Sequence, residues 1–179
     1  MLKFYFNGSP NPTKVALFLE EAGIPFEAIP VDTRKGEQFG TAYLAINPNG
    51  KVPAIVDGDV TVFDSNAILL YLAEKTGKFL PAGTPAVRGE LLSWLMFVAT
   101  GVGPFSGQAV HFRHFATEKV PYAHKRYEYE ARASVAQESA VRCHVLPERA
   151  YATGMTVHDG SFGAFAHCSE CRLNDVVIL

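Results

Sequence analysis

The sequence predicts an α/β domain followed by a region of helices. Up to residue 77, short segments rich in strand formers alternate with segments that repeat apolar residues every three to four positions. From residue 86 to residue 133 the pattern is helical without a strand pattern, and Gly101, Gly103-Pro104 and Gly107 are expected to interrupt it. Residues 79–85 contain two prolines and a glycine and separate the two patterns. We therefore expect a first domain over residues 1–78, a linker over 79–85 and a partial helical domain over 86–133.

The composition is that of a globular chain. Of its 179 residues 48% are hydrophobic, and the formal net charge is −2. This balance favours neither a nucleic-acid partner nor binding to an anionic membrane surface. The N-terminus lacks the layout of a signal peptide, and the three cysteines, all beyond residue 140, do not form a disulfide framework. A cytoplasmic location is the resulting prediction.

The first three elements are predicted to be a strand, a helix and a strand. Residues 2–6 and 26–31 are rich in strand formers. Residues 13–22 carry apolar side chains at helical spacing, namely Val15, Phe18, Leu19 and Ala22. Two strands joined through a helix are expected to pair in parallel. A short helix over residues 37–46 is expected next.

A proline-containing turn then leads into a β-hairpin. Pro48 and Gly50 are turn residues, and residues 52–56 form a short buried strand that begins beside Pro53. Asp57-Gly58 is a two-residue hairpin signal, and residues 60–63 are the returning strand. If the Val52–Pro53 bond is cis, the backbone of Val52 can face outward and bind an extended peptide. The alternative is an ordinary turn and edge strand.

Two predicted helix starts could each bind an anion. The loop Ser9-Pro10-Asn11 opens the first helix, whose unpaired N–H groups and dipole favour a thiolate, and Ser9 and Asn11 add neutral donors. Asp64-Ser65 opens the helix that runs to residue 76. The backbone N–H groups at the start of this helix and the Ser65 hydroxyl could bind a carboxylate, and Asp64 could bind an ammonium. Asp64 and Ser65 together therefore fit the α-amino-acid end of a ligand. In both places a plain helix cap is the alternative.

Three other motifs point to different chemistry. His111 and His114 could polarise a substrate or bind a metal, but without a third ligand they are interpreted as ordinary helix or loop residues. Cys168 and Cys171 form a C-x-x-C pair that resembles a redox motif, or half a zinc site with His167 and Cys143. The pair is far from the first strand-to-helix loop, where a thioredoxin-type dithiol belongs. A dinucleotide-binding loop is set aside because no G-x-G-x-x-G follows the first strand.

Several motifs occur together in a characteristic order. They are Ser9-Pro10-Asn11, the segment 17–23, the segment 35–39, the segment 47–56, the segment 64–77 and the segment 121–127. Over residues 1 to about 130 the chain resembles the cytosolic glutathione S-transferases, and within them the bacterial Nu-type group of disulfide-reducing members. The resemblance implies a thioredoxin-like N-terminal domain followed by an all-α domain, in a homodimer.

The resemblance also implies which residues bind glutathione. Asn11, with Ser9 beside it, faces the sulfur. Val52 pairs with the cysteinyl backbone, and Pro53 is the cis-proline of the family.

The two ends of the tripeptide have their own expected partners. Gln38 and Lys51 reach the glycine end, and Asp64 and Ser65 hold the γ-glutamyl end. Arg126 matches an arginine that the second domain of this group directs to bound glutathione. Tyr5 is interpreted as a strand residue, because it is not in the loop where tyrosine-type transferases keep their catalytic tyrosine.

The C-terminal quarter of the chain departs from this pattern. After about residue 133 no helical or strand period continues, and the buried serine/threonine–aspartate capping box of the family is not found. The hypothesis is that residues 134–179 are a frame-shifted or aberrantly terminated tail, which would leave apolar helix faces uncovered.

The predicted function is that of a glutathione-dependent transferase or a disulfide or peroxide reductase. Glutathione is the cosubstrate, a small electrophile or a disulfide is the partner, and no metal is required. Bound glutathione thiolate attacks an electrophilic carbon or a disulfide or peroxide bond. The alternative is a non-catalytic glutathione-fold binding protein, or an inactive truncated member of the family.

Overall fold

The computed structural model describes residues 1–81, 83–145, 156–158 and 161–163, with side chains as far as residue 134. The chain divides into two compact units between Leu80 and Pro81, inside the expected linker. Within the described segments, none of the helices combines the length and the apolar character needed to cross a membrane.

Unit 1 is a four-stranded mixed sheet with helices. Its elements are β1 (Leu2–Phe6), α1 (Pro10–Glu21), β2 (Phe26–Pro30), a 3₁₀ turn (Glu37–Phe39), α2 (Thr41–Leu44), β3 (Ala54–Asp57), β4 (Val60–Phe63) and α3 (Ser65–Thr76). The strand order is β2-β1-β3-β4. β1 pairs in parallel with β2, and β3 is antiparallel to both β1 and β4. The predicted parallel pair and the predicted hairpin are both present.

The two faces of the sheet belong to two apolar clusters because successive side chains of a strand point to opposite faces. Phe4 and Ile55 lie in the larger cluster, together with α1 and α3 residues such as Val15, Phe18, Ile68 and Leu72. The neighbouring positions, Tyr5 and Ala54, lie in a second cluster with Val31, Tyr43, Ile46 and Val52. Tyr5 is therefore a strand residue, as predicted.

The segment predicted as one helix over residues 37–46 is two short pieces. The 3₁₀ turn ends before Gly40, whose backbone is extended (φ −65°, ψ 142°), and α2 starts immediately after it. β3 also begins two residues later than predicted, at Ala54. Pro53 has no backbone N–H to donate to β1, which explains why the ladder starts after it.

Unit 2 is built from helices over the part that the structure describes in detail. They are α4 (Pro85–Phe97), a π-helical turn (Val98–Val102), α5 (Gly103–Val110), a second π-helical turn (His111–Phe115) and α6 (Pro121–Val145). The glycines and proline around residues 101–107 were expected to interrupt the helix. Instead the hydrogen-bond spacing widens by one residue ahead of Pro104, which tolerates a residue that cannot donate.

The last described helix is longer than the sequence suggested. α6 was expected to end near residue 133, and it continues to Val145. A two-stranded antiparallel hairpin of β5 (Thr156–His158) and β6 (Ser161–Gly163) follows. The other residues of the segment 134–179 lie outside the described part of the chain, so the tail remains a hypothesis.

Candidate functional site

Four loops of unit 1 lie at one end of the strands, called here the loop end of the sheet. The register pairs Tyr5 with Ala54 and Ala54 with Phe63, so β1 and β4 finish at the end where β3 begins. β2 finishes at the same end, because Pro30 is paired with Phe6. The loops at this end carry the predicted site residues Ser9, Asn11, Gln38, Lys51, Val52, Pro53, Asp64 and Ser65.

The backbone of Val52 is open for pairing. The Val52–Pro53 peptide bond is cis, which is the condition set by the sequence interpretation. Val52 lies before the first ladder position of β3, and its N–H and C=O make no hydrogen bond to any residue that the structure describes. One backbone donor and one backbone acceptor are thus available at the loop end of the sheet for strand-like hydrogen bonds with an extended peptide.

The direction of the Val52 N–H is set by the carbonyl before it. The Lys51 oxygen accepts a hydrogen bond from Asn47 Nδ2 at 2.6 Å and another from Tyr43 Oη at 2.7 Å. In a trans peptide the C=O and N–H point in opposite directions, so the Val52 N–H points away from these two donors. Burial raises the pKa of Tyr43 to about 12, and its hydroxyl therefore stays protonated as a donor.

Asp64 caps α3 and has an unusual backbone conformation. Its Oδ1 accepts hydrogen bonds from Asn66 N at 2.9 Å and from Ala67 N at 3.4 Å, so the predicted cap is present. Its φ of 71° lies in a region that residues other than glycine rarely adopt. Ser65 is buried, and its hydroxyl makes no hydrogen bond to a described residue. The cap therefore leaves the Ser65 hydroxyl and the second Asp64 oxygen available.

The start of α1 differs from a simple cap. Ser9 occupies the N-cap position, but its side chain makes no capping bond. Its hydroxyl donates to Asn7 Oδ1 at 2.6 Å, while Asn7 Nδ2 donates to Thr33 Oγ1 at 2.9 Å and ties this loop to the loop after β2. Asn11 is exposed and its amide makes no hydrogen bond to a described residue. Of the two expected donors, Asn11 is thus the one whose N–H groups are not already engaged.

Two residues that the sequence interpretation missed connect α1 to α3. Lys14 Nζ donates to Asn66 Oδ1 at 2.6 Å, across 52 positions of the chain. Burial lowers the pKa of Lys14 from 10.5 to about 8, and the charge of Asp64 acts in the opposite direction. The signal was available, because Lys14 lies next to Val15 and one turn before Phe18, at the border of the apolar face of α1.

The residues expected at the glycine end are less constrained. Gln38 Nε2 donates weakly to Thr33 O at 3.4 Å, and Gln38 Oε1 is buried without a partner among the described residues. Lys51 has an exposed side chain.

In unit 2, Arg126 is exposed and forms an ion pair with Glu130, one turn further along α6. His111 and His114 are exposed and lie beside the rings of Phe112 and Phe115.

The histidine and cysteine motifs form no metal or dithiol site within the described part of the chain. Within that part, no group of three or more histidine, cysteine, aspartate or glutamate side chains is placed to hold a metal ion. His167, Cys168 and Cys171 lie outside the described residues, and so does the side chain of Cys143.

Unit 1 is a thioredoxin-like domain, as its sheet order β2-β1-β3-β4, its βαβ start and its β-hairpin followed by a helix define. A family model described as "Glutathione S-transferase, N-terminal domain" matches residues 8–75. The solved structure of the glutathione transferase URE2P6 from Phanerochaete chrysosporium, in complex with oxidized glutathione, is 39% identical with a TM-score of 0.74. The match covers 80% of this chain and 68% of that one. The chain belongs to the glutathione S-transferase family.

Two curated relatives agree with the disulfide-reducing group that the sequence resembles. Disulfide-bond oxidoreductase YfcG of Escherichia coli (strain K12) is 47% identical over 137 residues, which are 73% of this chain and 63% of YfcG. Disulfide-bond oxidoreductase YghU of the same organism is 39% identical over 142 residues, which are 73% of this chain and 49% of YghU. The chain thus spans about half to two thirds of the length of these relatives.

Proposed function

We propose that this protein binds glutathione at the loop end of the sheet in unit 1 and uses the thiolate of the bound glutathione to reduce disulfides. The observation that carries the proposal is the backbone of Val52, whose N–H and C=O make no hydrogen bond to a described residue. These groups lie at the same end of the sheet as the starts of α1 and α3. An extended peptide bound to Val52 places one of its ends towards α3 and its central side chain towards α1.

The dimensions of the site fit a tripeptide. β1 and β4 are separated by two strand spacings, with β3 between them, which is about 10 Å. Three extended residues also span about 10 Å. The γ-glutamyl end would reach Asp64 and Ser65, where a carboxylate meets the N–H groups of α3 and an ammonium meets the Asp64 carboxylate. Gln38 and Lys51 would then receive the glycine end. Arg126 is kept as a proposed glutathione ligand because the family resemblance implies it.

The chemistry follows from the position of the thiol. The N-terminus of α1 favours the thiolate over the thiol, and the Asn11 amide donates to the sulfur with Ser9 beside it. The thiolate attacks one sulfur of a disulfide, a mixed disulfide forms, and the second sulfur leaves as a thiolate that takes up a proton. A second glutathione thiolate then attacks the mixed disulfide, which releases oxidised glutathione and the reduced substrate.

Reduction is preferred to conjugation because YfcG and YghU are named as disulfide-bond oxidoreductases. The same thiolate could attack an electrophilic carbon or a peroxide, so these reactions remain within the proposal. A cytoplasmic location and a homodimer are part of it as well.

One observation favours a second candidate, a glutathione-binding protein without turnover. The Ser9 hydroxyl already donates to Asn7, so of the two predicted side-chain donors for the sulfur the Asn11 amide is the one that remains. With one donor, the pKa of the bound thiol would be lowered less, and less thiolate would be present at neutral pH.

Calorimetric titration with reduced and then oxidised glutathione tests the proposal. We expect saturable binding, weakened by Ser65→Ala and by Arg126→Ala, and tighter for the oxidised form if the protein is a disulfide reductase. Turnover is measured as glutathione-dependent reduction of a model disulfide, which Asn11→Ala should abolish and Glu20→Gln, at the other end of α1, should leave unchanged. Binding without turnover would identify the second candidate, and a folded protein that binds neither form would refute both.

A further inference from the structure

Lys14 occupies an unusual position for a lysine. It projects from the first turns of α1 to the second residue of α3, where its ammonium donates to Asn66 Oδ1 at 2.6 Å. Asn66 is buried, and its backbone N–H donates to Oδ1 of the Asp64 carboxylate at 2.9 Å. The chain of contacts Lys14–Asn66–Asp64 therefore joins the starts of the two helices that flank the proposed ligand.

The energetics of this lysine are unfavourable without a further partner. Its ammonium is mostly withdrawn from water, and no carboxylate of the described residues lies within ion-pair distance. Burial of a charge that has only a neutral acceptor is costly, and lysines are rarely kept in such places without a role. Both neighbouring helix starts are electropositive ends that favour an anion.

We propose that Lys14 is a positioning residue of the glutathione site, which holds the start of α3 through Asn66 and supplies positive charge behind the subsite for the γ-glutamyl carboxylate. The inference rests on the proposed function and deepens it. Lys14 does not touch the ligand in this account. Its charge strengthens a subsite whose direct contacts are the neutral Ser65 hydroxyl and backbone N–H groups, and whose Asp64 carboxylate would otherwise repel an anion.

The protonation of Lys14 gives this role a pH signature. Its pKa of about 8 means that the positive charge is present at pH 6.5 and is lost above pH 8. Asp64 of α3 is the charged group that acts on it, and it favours the charged form. The other element packed on α1 is β1, whose Lys3 and Tyr5 are not among the groups that shift the pKa of Lys14. Glu20 and Glu21 are at the far end of α1.

The test compares variants of the full chain by calorimetric titration with oxidised glutathione between pH 6.5 and pH 10. Oxidised glutathione has no thiol to titrate, and its amino groups titrate equally for every variant. Lys14→Met keeps the length of the side chain without the charge, and Lys14→Arg keeps a charge that persists to high pH. Lys78→Met is the matched control, because Lys78 donates to the carbonyl of Ala22 at the opposite end of α1.

We expect Lys14→Met to bind about tenfold more weakly than the wild type at pH 6.5, and the difference to shrink towards none by pH 10. Lys14→Arg should bind like the wild type at pH 6.5 and keep its advantage over Lys14→Met at pH 10. Lys78→Met should match the wild type throughout.

Equal affinities of wild type and Lys14→Met at pH 6.5, or a ratio that does not change with pH, would overturn the inference while leaving the proposed function intact. Failure of the wild type to bind would instead reject the proposed function, and the inference with it.

Discussion

Asn47 holds the carbonyl oxygen of Lys51 through its side-chain amide, at a distance of 2.6 Å. Asn47 is only 2% exposed, and its Oδ1 accepts the backbone N–H of Asn49 at 3.0 Å, so one buried amide spans the whole turn. The peptide that ends in the Val52 N–H is thereby fixed in orientation before any ligand arrives. Preorganisation of this kind increases affinity because less motion has to be lost on binding.

Asn47→Ala is predicted to weaken both the fold and ligand binding. The change leaves the Asn49 N–H unpaired and removes one of the two donors to Lys51, and loss of buried hydrogen bonds destabilises by about 1–3 kcal/mol. Urea unfolding measures the first effect, and titration with glutathione measures the second. Asn49→Ala is the control, because only the backbone of Asn49 takes part in the turn. Equal glutathione affinities for the two variants would argue against a role for Asn47 in positioning Val52.

Asp57 is predicted to make the stability of unit 1 depend on acid pH. Lys75 and Tyr71 both donate to Asp57 Oδ2, Tyr71 at 2.8 Å, and tie the hairpin to α3. The hydrogen bond from Lys75 is the main cause that lowers the pKa of Asp57 below 3.8. Because the folded pKa is lower than the unfolded one, this stabilisation is present above about pH 4 and is lost as the pH falls through the folded value.

Asp57→Asn should therefore be less stable than the wild type at pH 7, and the two should converge as the pH falls below 4. Urea midpoints at pH 7 and pH 3 measure the difference. Asp59→Asn removes the same charge from an exposed position of the same hairpin and should differ little from the wild type at either pH. A constant difference between wild type and Asp57→Asn across this range would contradict the assignment.

Gly50→Ala is predicted to destabilise unit 1 more than Gly77→Ala does. Both glycines have positive φ, +60° and +67°, and alanine in that conformation costs about 1–2 kcal/mol. A Cβ on Gly77 would meet nothing within 4 Å, whereas one on Gly50 would lie 3.1 Å from the ring of Phe39. Thermal unfolding of both variants separates backbone strain from the added contact. Equal losses in the two variants would show that Phe39 moves aside without penalty.

Glu130→Gln is predicted to increase glutathione affinity up to about fivefold. Glu130 pairs with Arg126 on the surface of α6, and an exposed pair of this kind is worth about 0–1 kcal/mol. A ligand that recruits Arg126 has to break this pair, so its removal favours binding. Titrations of the two variants with glutathione should show affinity changes of opposite sign relative to the wild type, an increase for Glu130→Gln and a decrease for Arg126→Ala.

Arg132→Ala is the control for that comparison, since it removes an arginine paired with Glu128 on the same helix. It should bind glutathione like the wild type. Weaker binding by Glu130→Gln would mean that the pair with Glu130 holds Arg126 in its binding position.

The sequence by itself predicted the elements of unit 1, apart from the break at Gly40, and named the residues that are proposed for the site. Strand and helix periods are local properties, and Asp57-Gly58, Asp64 and Gly77 are turn and cap signals that act within a few residues. The outward backbone of Val52 could be proposed from the proline that follows it, because the constraint lies in the neighbouring residue. The break at Gly40 and the continuous π-helical path past Pro104 were missed, since single glycines and prolines are compatible with more than one backbone path.

Only the tertiary structure decided which side chains support the site. Lys14 and Asn66 are 52 positions apart, and the turn signals of Pro48 and Gly50 do not indicate that the Asn47 amide donates to the Lys51 carbonyl. The partner of the Ser9 hydroxyl was decided in the same way, by the rotamer that places it on Asn7. The contact between Lys14 and Asn66 depends on the packing of α1 against α3, which no local pattern of residues specifies. The Asn47 and Ser9 side chains bind groups only two to four residues away, but short polar side chains can reach several neighbouring backbone and side-chain groups, and the fold selects one of them.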